Sequence, residues 1–320
     1  MSIFLAFLFI STTLNISFCG GSSYRGCIEI ERQAVLRFKK DLIDPSNLLA
    51  SWTSGHADCC TWSGIFCDNL TGHVLELNLT TPPLISIVDS TMRPRLGGKV
   101  NPSLLDLKHL RSLDLSFNNF SGIQIPKFLC YMHNLRYLDL SANSFQGIIP
   151  HQLGNLSNLQ YLALGSGSDV DDVGWLTSLS VLEVDNLGWL SSLSLLKHLD
   201  LSGVNLSESS DWLHVINTLP SLVVLKLSFC EIHHFPQLPI VNFSFLETLD
   251  LSANHFEGPI PYGLQNLTSL RYLDLSQNYF NSSIPNWFYR LSRLQRLSLG
   301  SNWLKGTLGI LGKSDIYRRA

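Results

Sequence analysis

Leucines recur along most of the chain in one order of apolar and polar positions, Leu-x-x-Leu-x-Leu, where x is usually polar. In the copy that begins at Leu110, the following leucines are Leu113 and Leu115. An alternation with a period of two predicts a short β-strand that turns both of these leucines inward and Ser112 and Asp114 outward. Such a strand buries only one face, so it needs neighbours.

The phrase occurs nine times, which makes the repeat the main feature of the chain. Copies begin at Val74, Leu110, Leu135, Leu159, Leu196, Leu222, Leu246, Leu270 and Leu294, and from Leu110 onward the spacings are 25, 24, 37, 26, 24, 24 and 24 residues. Because one coil cannot bury its own leucines, successive coils must stack and share a core, with their strands as parallel neighbours. The pattern predicts an α/β solenoid with a parallel β-sheet on its concave face.

An asparagine closes the regular copies of the phrase, at Asn118, Asn143, Asn254, Asn278 and Asn302. A buried side-chain amide at this turn can bond the backbone of its own and the next coil. Cys230 takes this position in its coil, so we predict a buried structural thiol there. The phrase Phe145-Gln-Gly147-Ile-Ile149-Pro150 and its relatives complete the unit. Glycine permits the turn, and proline favours an extended backbone on the far side.

The N-terminus and the cysteines indicate export. An apolar stretch over residues 3–10 and the polar segment after it predict a signal peptide over residues 1–23. Four cysteines then cluster, at Cys27, Cys59, Cys60 and Cys67, which favours disulfides over a metal site; the sequence alone leaves three pairings open. Eight Asn-x-Ser/Thr triplets predict N-glycosylation at Asn69, Asn78, Asn119, Asn155, Asn205, Asn242, Asn266 and Asn281.

Residues 25–310 resemble the plant leucine-rich-repeat receptor-like proteins of the ethylene-inducing-xylanase receptor type. The phrases that carry the resemblance are Cys27-Ile-Glu-Ile-Glu-Arg-Gln-Ala, Thr71-Gly72-His73-Val74 and Asp211-Trp-Leu-His-Val-Ile-Asn. The resemblance implies a right-handed superhelix and an N-terminal cap over residues 24–72, which begins with a helix. It also implies the disulfides Cys27–Cys59 and Cys60–Cys67. In this family the complete protein continues into more repeats, a membrane helix and a short tail without a kinase.

The repeats span residues 73–310, with two insertions and a non-repeat tail over residues 311–320. Prolines at 82, 83 and 94 predict a loop in the insertion near 82–96. In the insertion near 166–190, Val173–Leu182 is similar to Leu187–Leu196. An extruded loop and a degenerate extra coil around Leu182 both remain open there. No cysteine pair or polar capping unit follows the last repeat, so we expect a truncated ectodomain or a fragmentary gene product.

Exposed strand positions that differ from coil to coil form the candidate ligand-binding set. They are Tyr137, Tyr161, His198, Lys226, Tyr272 and Arg296. Tyrosine and arginine are frequent anchors of protein interfaces. In contrast, the aspartate of the repeat recurs at positions 114, 139, 200, 250 and 274, which marks a scaffold feature rather than a pair of catalytic carboxylates.

The same reading predicts no enzyme, no cofactor and no metal. Gly165-Ser-Gly-Ser lacks the lysine of a phosphate-binding loop, and His233-His234 has no second ligand pair at metal spacing, so we expect a solvated loop at these histidines. A net charge of −3 with 15% charged residues gives no electrostatic footprint for nucleic acid. Contact with a membrane would come only through a segment absent from this chain.

Two functions fit these patterns. The first is an extracellular ligand-recognition ectodomain of a cell-surface receptor-like protein in plant defence, located at the plasma membrane in the full-length parent. The resemblance implies a protein, peptide or microbial elicitor as ligand, and a leucine-rich-repeat receptor kinase as co-receptor. The alternative is a secreted, extracellular protein similar to the polygalacturonase inhibitors, which have about this length and repeat number.

Overall fold

The computed structural model describes residues 26–55, 58–81, 95–120, 122–165, 182–236 and 243–306. The predicted signal peptide, most of the insertion near 82–96, the first part of the insertion near 166–190, the sequon at Asn242 and the tail 311–320 lie outside these ranges.

The described residues form short strands, two α-helices and single turns of 3-10 helix. The α-helices are α1 (Glu29–Lys40) and α2 (Trp212–Ile216). The strands are β1 (Leu42–Ile43), β2 (Ile65–Cys67), β3 (Val74–Asn78), β4 (Gly97–Gly98), β5 (Ser112–Asp114), β6 (Tyr137–Asp139), β7 (Gly147–Ile148), β8 (Tyr161–Ala163), β9 (Leu182–Glu183), β10 (His198–Asp200), β11 (Val224–Lys226), β12 (Thr248–Asp250), β13 (Glu257–Gly258), β14 (Tyr272–Asp274), β15 (Tyr279–Phe280) and β16 (Arg296–Ser298). The 3-10 helices are Cys59–Thr61, Pro102–Asp106, Lys127–Tyr131, His151–Asn155, Gly188–Ser192, Tyr262–Asn266 and Asn286–Arg290.

One sheet runs through all nine predicted coils, and we call it the main sheet. Its order is β2-β3-β5-β6-β8-β10-β11-β12-β14-β16. The strands from β3 to β16 are parallel, and β2 closes the N-terminal edge antiparallel to β3. The register puts equivalent repeat positions side by side, as in Leu113 opposite Leu138. The predicted solenoid with a parallel sheet is therefore confirmed.

The core lies between the main sheet and the 3-10 helices. The inward leucines are almost completely buried; Leu113, Leu138 and Leu199 have no exposed surface. The Ile-Pro phrase has a defined role, because Pro150 and Pro261 take extended conformations immediately before a 3-10 helix. The phenylalanines of the repeat form a second set of core contacts along the stack, such as Phe256 against Phe280, with ring centroids 6.0 Å apart.

The buried asparagines bond the preceding coil, whereas we predicted the next one. The side-chain amide of Asn254 donates to the carbonyl of Leu251 in its own coil at 3.1 Å and to that of Leu227 in the preceding coil at 2.8 Å. Its Oδ1 accepts the backbone N–H groups of Cys230 and Ile232, also in the preceding coil.

The same direction recurs in the later coils. Oδ1 of Asn278 accepts the N–H of Phe256, and Oδ1 of Asn302 accepts the N–H of Phe280, at 3.2 and 3.1 Å. The N–H groups of Phe256 and Phe280 are therefore satisfied by the asparagine of the following coil.

Cys230 replaces this asparagine in its own coil. Its thiol is completely buried and lies 3.2 Å from the carbonyl oxygen of Leu201 and 3.4 Å from that of Ser228. These correspond to carbonyls that the asparagine amide bonds in regular coils. Burial raises the pKa of the Cys230 thiol well above its ordinary value. The structure is therefore consistent with the predicted structural thiol.

The extra-coil interpretation of the insertion near 166–190 is wrong. Strands β8 and β10 are direct neighbours in the main sheet, so no additional strand lies between them. Strand β9 instead pairs with β7 in a separate two-stranded sheet. Leu182, Leu187 and Leu190 are buried in the shared core, and the 3-10 helix Gly188–Ser192 is an ordinary part of the coil. The regular coil thus resumes at Leu182, and the insertion ends before residue 190.

The N-terminal cap covers the first coil, with α1 as its main element. Disulfides join Cys27 to Cys59 and Cys60 to Cys67, which is the pairing that the resemblance implies. Glu31 on α1 is 3% exposed, and its Oε2 accepts the N–H of the first residue of β3 at 2.6 Å. A helix carboxylate thereby fastens the cap to the first repeat strand. No helix in the described part of the chain is long and apolar enough to cross a bilayer.

Candidate functional site

The six predicted ligand-binding residues all lie on the exposed face of the main sheet. Five of them are the first residues of their strands: Tyr137, Tyr161, His198, Tyr272 and Arg296 begin β6, β8, β10, β14 and β16. Lys226 is the last residue of β11. Because the strands are parallel and in register, residues at the same strand position form rows across the face.

Three of these side chains form one continuous stack, which we call the aromatic column: Tyr137, Tyr161 and His198. The rings of Tyr137 and Tyr161 are 4.1 Å apart between centroids with planes at 15°, and those of Tyr161 and His198 are 4.1 Å apart at 17°. All three side chains are half-buried. Their faces cover one another, so the column offers ring edges to a partner and holds each ring in place.

A single carboxylate organises the tyrosine end of the column. The hydroxyls of Tyr137 and Tyr161 both lie near Oδ2 of Asp139, at 3.3 and 3.2 Å. Oδ1 of the same group accepts the N–H and the hydroxyl of Ser141 at 2.9 and 2.6 Å. Asp139 therefore uses both oxygens and fixes two phenol rings on neighbouring strands.

Burial and the neighbouring carboxylates change the acidity of this face. Burial raises the pKa of the Tyr137 and Tyr161 hydroxyls, and the negative charge of Asp139 raises both further. Burial also raises the pKa of the carboxyl groups of Asp114 and Asp250, against the lowering effect of their hydrogen bonds to serine. The phenols consequently stay protonated as hydrogen-bond donors well beyond neutral pH.

The remaining predicted residues form two smaller contacts. The guanidinium of Arg296 lies over the ring of Tyr272 at 5.3 Å from its centroid, in a cation–π contact. The Tyr272 hydroxyl donates to Oδ2 of Asp274 at 3.0 Å. Nζ of Lys226 is 3.7 Å from Oδ2 of Asp200 on the adjacent strand. Both cations are thus held over the sheet by side chains of the repeat.

The structure brings the six residues onto one face, as two groups with Lys226 between them. Val224 and Thr248 begin the two strands between His198 and Tyr272. Three strand steps separate these groups by about 14 Å, at roughly 4.8 Å per step. Lys226 lies at the other end of β11 within this interval. The face therefore has an aromatic column towards the N-terminus and a cationic aromatic pair towards the C-terminus.

One repeat aspartate, Asp139, has a role at the site that the sequence analysis did not predict. Most of them use Oδ1 to bond the serine two residues later, as Asp114 does with Ser116 and Asp250 with Ser252, which supports the scaffold interpretation. Asp139 also organises the column. The signal for this extra role was a tyrosine at the same strand position in two successive coils.

Phe229 is a second residue without a predicted role. It lies just beyond β11, is 48% exposed, and has a φ of 56°, which bulky residues rarely adopt. Equivalent positions in other coils share this left-handed conformation, with small side chains at Ala142 and Ala253 and a second phenylalanine at Phe117. The repeat turn thus dictates the backbone conformation, whichever side chain occupies the position.

Comparison with known families agrees with this architecture. The family described as Leucine rich repeat N-terminal domain matches residues 29–68. The family described as Leucine rich repeat matches residues 104–166, 220–280 and 244–304. One family therefore matches the cap, and the other matches the stacked coils.

Among curated proteins, the similar ones include receptor-like proteins of tomato species. Receptor-like protein EIX1 of Solanum lycopersicum is 34% identical over 83% of this chain and 25% of that protein. Receptor-like protein EIX2 of the same species is 39% identical over 74% of the chain and 22% of the relative. Receptor-like protein Cf-9 of Solanum pimpinellifolium is 35% identical over 64% and 21%. The chain spans about a quarter of the length of these relatives.

Among solved structures, the similar ones include ectodomains of Arabidopsis thaliana receptor kinases. The ectodomain of GASSHO1/SCHENGEN3, in complex with CASPARIAN STRIP INTEGRITY FACTOR 2, superposes with a TM-score of 0.60 at 24% identity, over 88% of this chain and 33% of that one. HAESA, in complex with the peptide hormone IDA and the co-receptor SERK1, gives 0.53 at 23% identity, over 87% and 50%. At these identities the likeness concerns the fold alone.

Proposed function

Starting from the premise that this chain is a plant leucine-rich-repeat protein related to the receptor-like proteins, a non-enzymatic family, we propose that it is the ligand-recognition part of a cell-surface receptor. Its ligand is a protein, a peptide or a microbial elicitor, and its role is in defence signalling. The exposed face of the main sheet makes the contact.

The observation that carries this proposal is the arrangement of the six variable side chains. The aromatic column, Lys226 and the Tyr272–Arg296 pair lie on the same face of one sheet, on six of the seven consecutive strands from β6 to β16. Their rings and cations are held by neighbouring side chains before any partner arrives, which lowers the entropy cost of binding. Aromatic and arginine side chains in such settings are the usual anchors of protein interfaces.

The positions of the sequons support the same face. Asn155 and Asn266 end 3-10 helices on the opposite side of the core, and both are exposed. Asn119 and Asn281 are exposed beyond the ends of the strands. Asn78 differs, because it is the last residue of β3 on the main sheet. Glycans at the first four positions would leave the six candidate residues accessible to a protein ligand.

Partners and location follow by analogy. The solved HAESA complex contains the co-receptor SERK1, and a receptor without its own kinase needs a kinase partner to signal. We infer that this chain enters the secretory pathway and that its full-length parent acts at the plasma membrane with a leucine-rich-repeat receptor kinase. Elicitor-dependent co-purification of the two proteins from plant tissue tests this part.

Binding to a purified fungal ethylene-inducing xylanase tests the proposal directly. The secreted chain is immobilised, and the xylanase is applied in biolayer interferometry. We expect measurable binding, with Tyr161→Ala and Arg296→Ala each weakening it by at least about tenfold, as for anchor residues of interfaces. Tyr262→Ala is the matched control, because Tyr262 is 67% exposed on a 3-10 helix away from the main sheet.

Two results would contradict the proposal. One is unchanged affinity in Tyr161→Ala, Arg296→Ala and Lys226→Ala while Tyr262→Ala weakens binding, which would move the contact to the opposite side. The other is inhibition of a fungal polygalacturonase by the wild-type chain in a reducing-sugar assay, without xylanase binding. That result would favour the inhibitor-like alternative.

A further inference from the structure

Two neighbouring coils bring a glutamate and two histidines together away from the main-sheet face. We call Glu231, His233 and His255 the histidine cluster. One potential ligand atom from each lies within 4.8 Å of the other two. Nε2 of His255 is 2.9 Å from Oε2 of Glu231, and the rings of His233 and His255 stack with centroids 4.8 Å apart. The spacing along the sequence hid this group, because His255 comes from the next coil.

Two members of the cluster, Glu231 and His233, belong to an irregular coil. This coil has Cys230 where regular coils have asparagine, and it lacks the Phe-x-Gly-x-Ile-Pro phrase. Glu231 adopts a φ of 57°, in the left-handed region that non-glycine residues rarely occupy. The backbone N–H of His255 donates to the carbonyl of Ile232 at 2.9 Å, which fixes the two coils side by side. The backbone thus holds the three side chains at one place.

Structural stability does not account for the cluster. The side chain of Glu231 is 59% exposed and that of His255 is 35% exposed. An exposed ion pair of this kind contributes little to folding. The side chains are also free to rearrange around a ligand from solvent, since none of them fills the core.

From this geometry we infer that the histidine cluster is a binding site for Zn²⁺. Two imidazoles and one carboxylate are a ligand set that zinc uses in proteins, with the fourth position open to water or to a donor from a partner. Zinc distances of about 2.0–2.2 Å require the three donors to close in on the ion. The His233 ring must also leave its parallel stack, because an imidazole donates its lone pair in the plane of the ring.

A second group in the cap, Glu31, His73 and His109, is less suited to a metal. Glu31 is 3% exposed, and its two oxygens already bond the N–H of Val74 and Nδ1 of His73, at 2.6 and 2.8 Å. The two histidine rings stack at 3.7 Å. An ion there would have to break the bonds that fasten α1 to β3, so we assign this group a structural role.

Isothermal titration of the purified full chain with Zn²⁺ tests the inference. At about pH 7.5 we expect one site, and we expect His233→Asn and His255→Asn to weaken its affinity by at least about tenfold, since each removes one of three protein ligands. His234→Asn is the matched control, because His234 is an exposed neighbour outside the cluster. Its affinity should equal that of the wild type. Thermal melts without zinc check that all three variants are folded.

The absence of wild-type binding at zinc concentrations up to about 1 mM would overturn the inference, because a Kd above about 1 mM corresponds to a binding free energy weaker than about 4 kcal/mol. So would undiminished binding in both His233→Asn and His255→Asn, which would place the ion elsewhere. Neither result depends on whether the main-sheet face binds an elicitor.

Discussion

A single buried amide completes several backbone hydrogen bonds at each regular turn of the solenoid. Asn254 is 3% exposed, donates to carbonyls in two coils and accepts two N–H groups of the preceding coil. Alanine at this position would leave the Leu227 carbonyl and the two N–H groups buried without this partner, whereas the Leu251 carbonyl would keep its bond from the amide of Asn278. The loss of stability on replacing Asn254 therefore comes from the backbone groups that lose their hydrogen-bond partner.

We expect Asn254→Ala to lower the free energy of unfolding by about 2–4 kcal/mol, because each unsatisfied buried polar group costs about 1–3 kcal/mol. Urea titration followed by circular dichroism gives the value. Asn158→Ala is the control, since its exposed amide makes one bond, to the carbonyl of His133, and the expected change is within about 0.5 kcal/mol. Equal losses in both variants would refute the role of the buried amide.

The tyrosines of the main-sheet face should resist ionisation. Burial raises the pKa of Tyr137, Tyr161 and Tyr272 above the ordinary value. A raised folded pKa stabilises the fold below the unfolded pKa of about 10, and this contribution is lost as the pH rises above that value. Absorbance at 295 nm should therefore show fewer ionised tyrosines at about pH 11 in the folded chain than in urea.

A phenylalanine variant checks this assignment, because Tyr161→Phe should leave the number of ionised tyrosines in the folded chain at about pH 11 unchanged. A drop in the folded count with Tyr161→Phe would show that the column ionises like free tyrosine.

Among the elements, the cap depends on two disulfides that close loops of different size. Cys27–Cys59 spans a sequence separation of 32 residues and includes α1, whereas Cys60–Cys67 spans 7. A longer loop loses more entropy when it is closed, so the first bridge restricts the unfolded chain more. The two bridges should therefore contribute unequally.

We expect the double variant Cys27→Ser/Cys59→Ser to lower stability by about 3.7 kcal/mol and Cys60→Ser/Cys67→Ser by about 2.4 kcal/mol, on the chain-entropy relation. Denaturant unfolding without reductant measures both. With reductant, the wild type should fall to the level of a chain that lacks both bridges. The reverse order of the two losses would mean that contacts in the folded cap outweigh loop closure.

The elements that repeat were the predictable ones. The strands β5, β6, β12 and β14 follow from leucine alternation, because each copy obeys the same burial requirement. The return segment at Leu182 could not be placed, since its leucines fit either a strand in the main sheet or one on the opposite side. The histidine cluster and the second role of Asp139 were missed because both depend on contacts between coils, whose identity the spacing within one coil does not reveal.

At the scale of the whole molecule, each coil makes its contacts with the coils adjacent to it. Each strand of the main sheet pairs only with those beside it, and the buried leucines follow the same order. A solenoid of this kind behaves as a row of coupled units rather than one globular core. Damage to one coil should consequently stay local.

Leu225→Ala tests this locality by native-state hydrogen exchange. We expect the opening free energy to fall by about 2–4 kcal/mol for amides in β10 and β12, because a large-to-small core change costs about 2–5 kcal/mol where it is made. Amides of β5 should change by less than about 0.5 kcal/mol. Leu70→Ala, at a residue that is 78% exposed, is the control. A uniform loss along the chain would show a single cooperative unit.

Because each asparagine bonds the coil before it, the order in which the chain is synthesised affects when a coil is complete. Phe256 and Phe280 present N–H groups that are satisfied by Asn278 and Asn302, each 22 residues further along the chain. A ribosome delivers the chain from its N-terminus, so a coil that has just emerged has to wait for the next asparagine before its backbone is complete. The growing protein therefore always carries one unfinished coil at its leading edge. A pause in translation between an asparagine and its predecessor would leave that coil exposed to chaperones for the length of the pause.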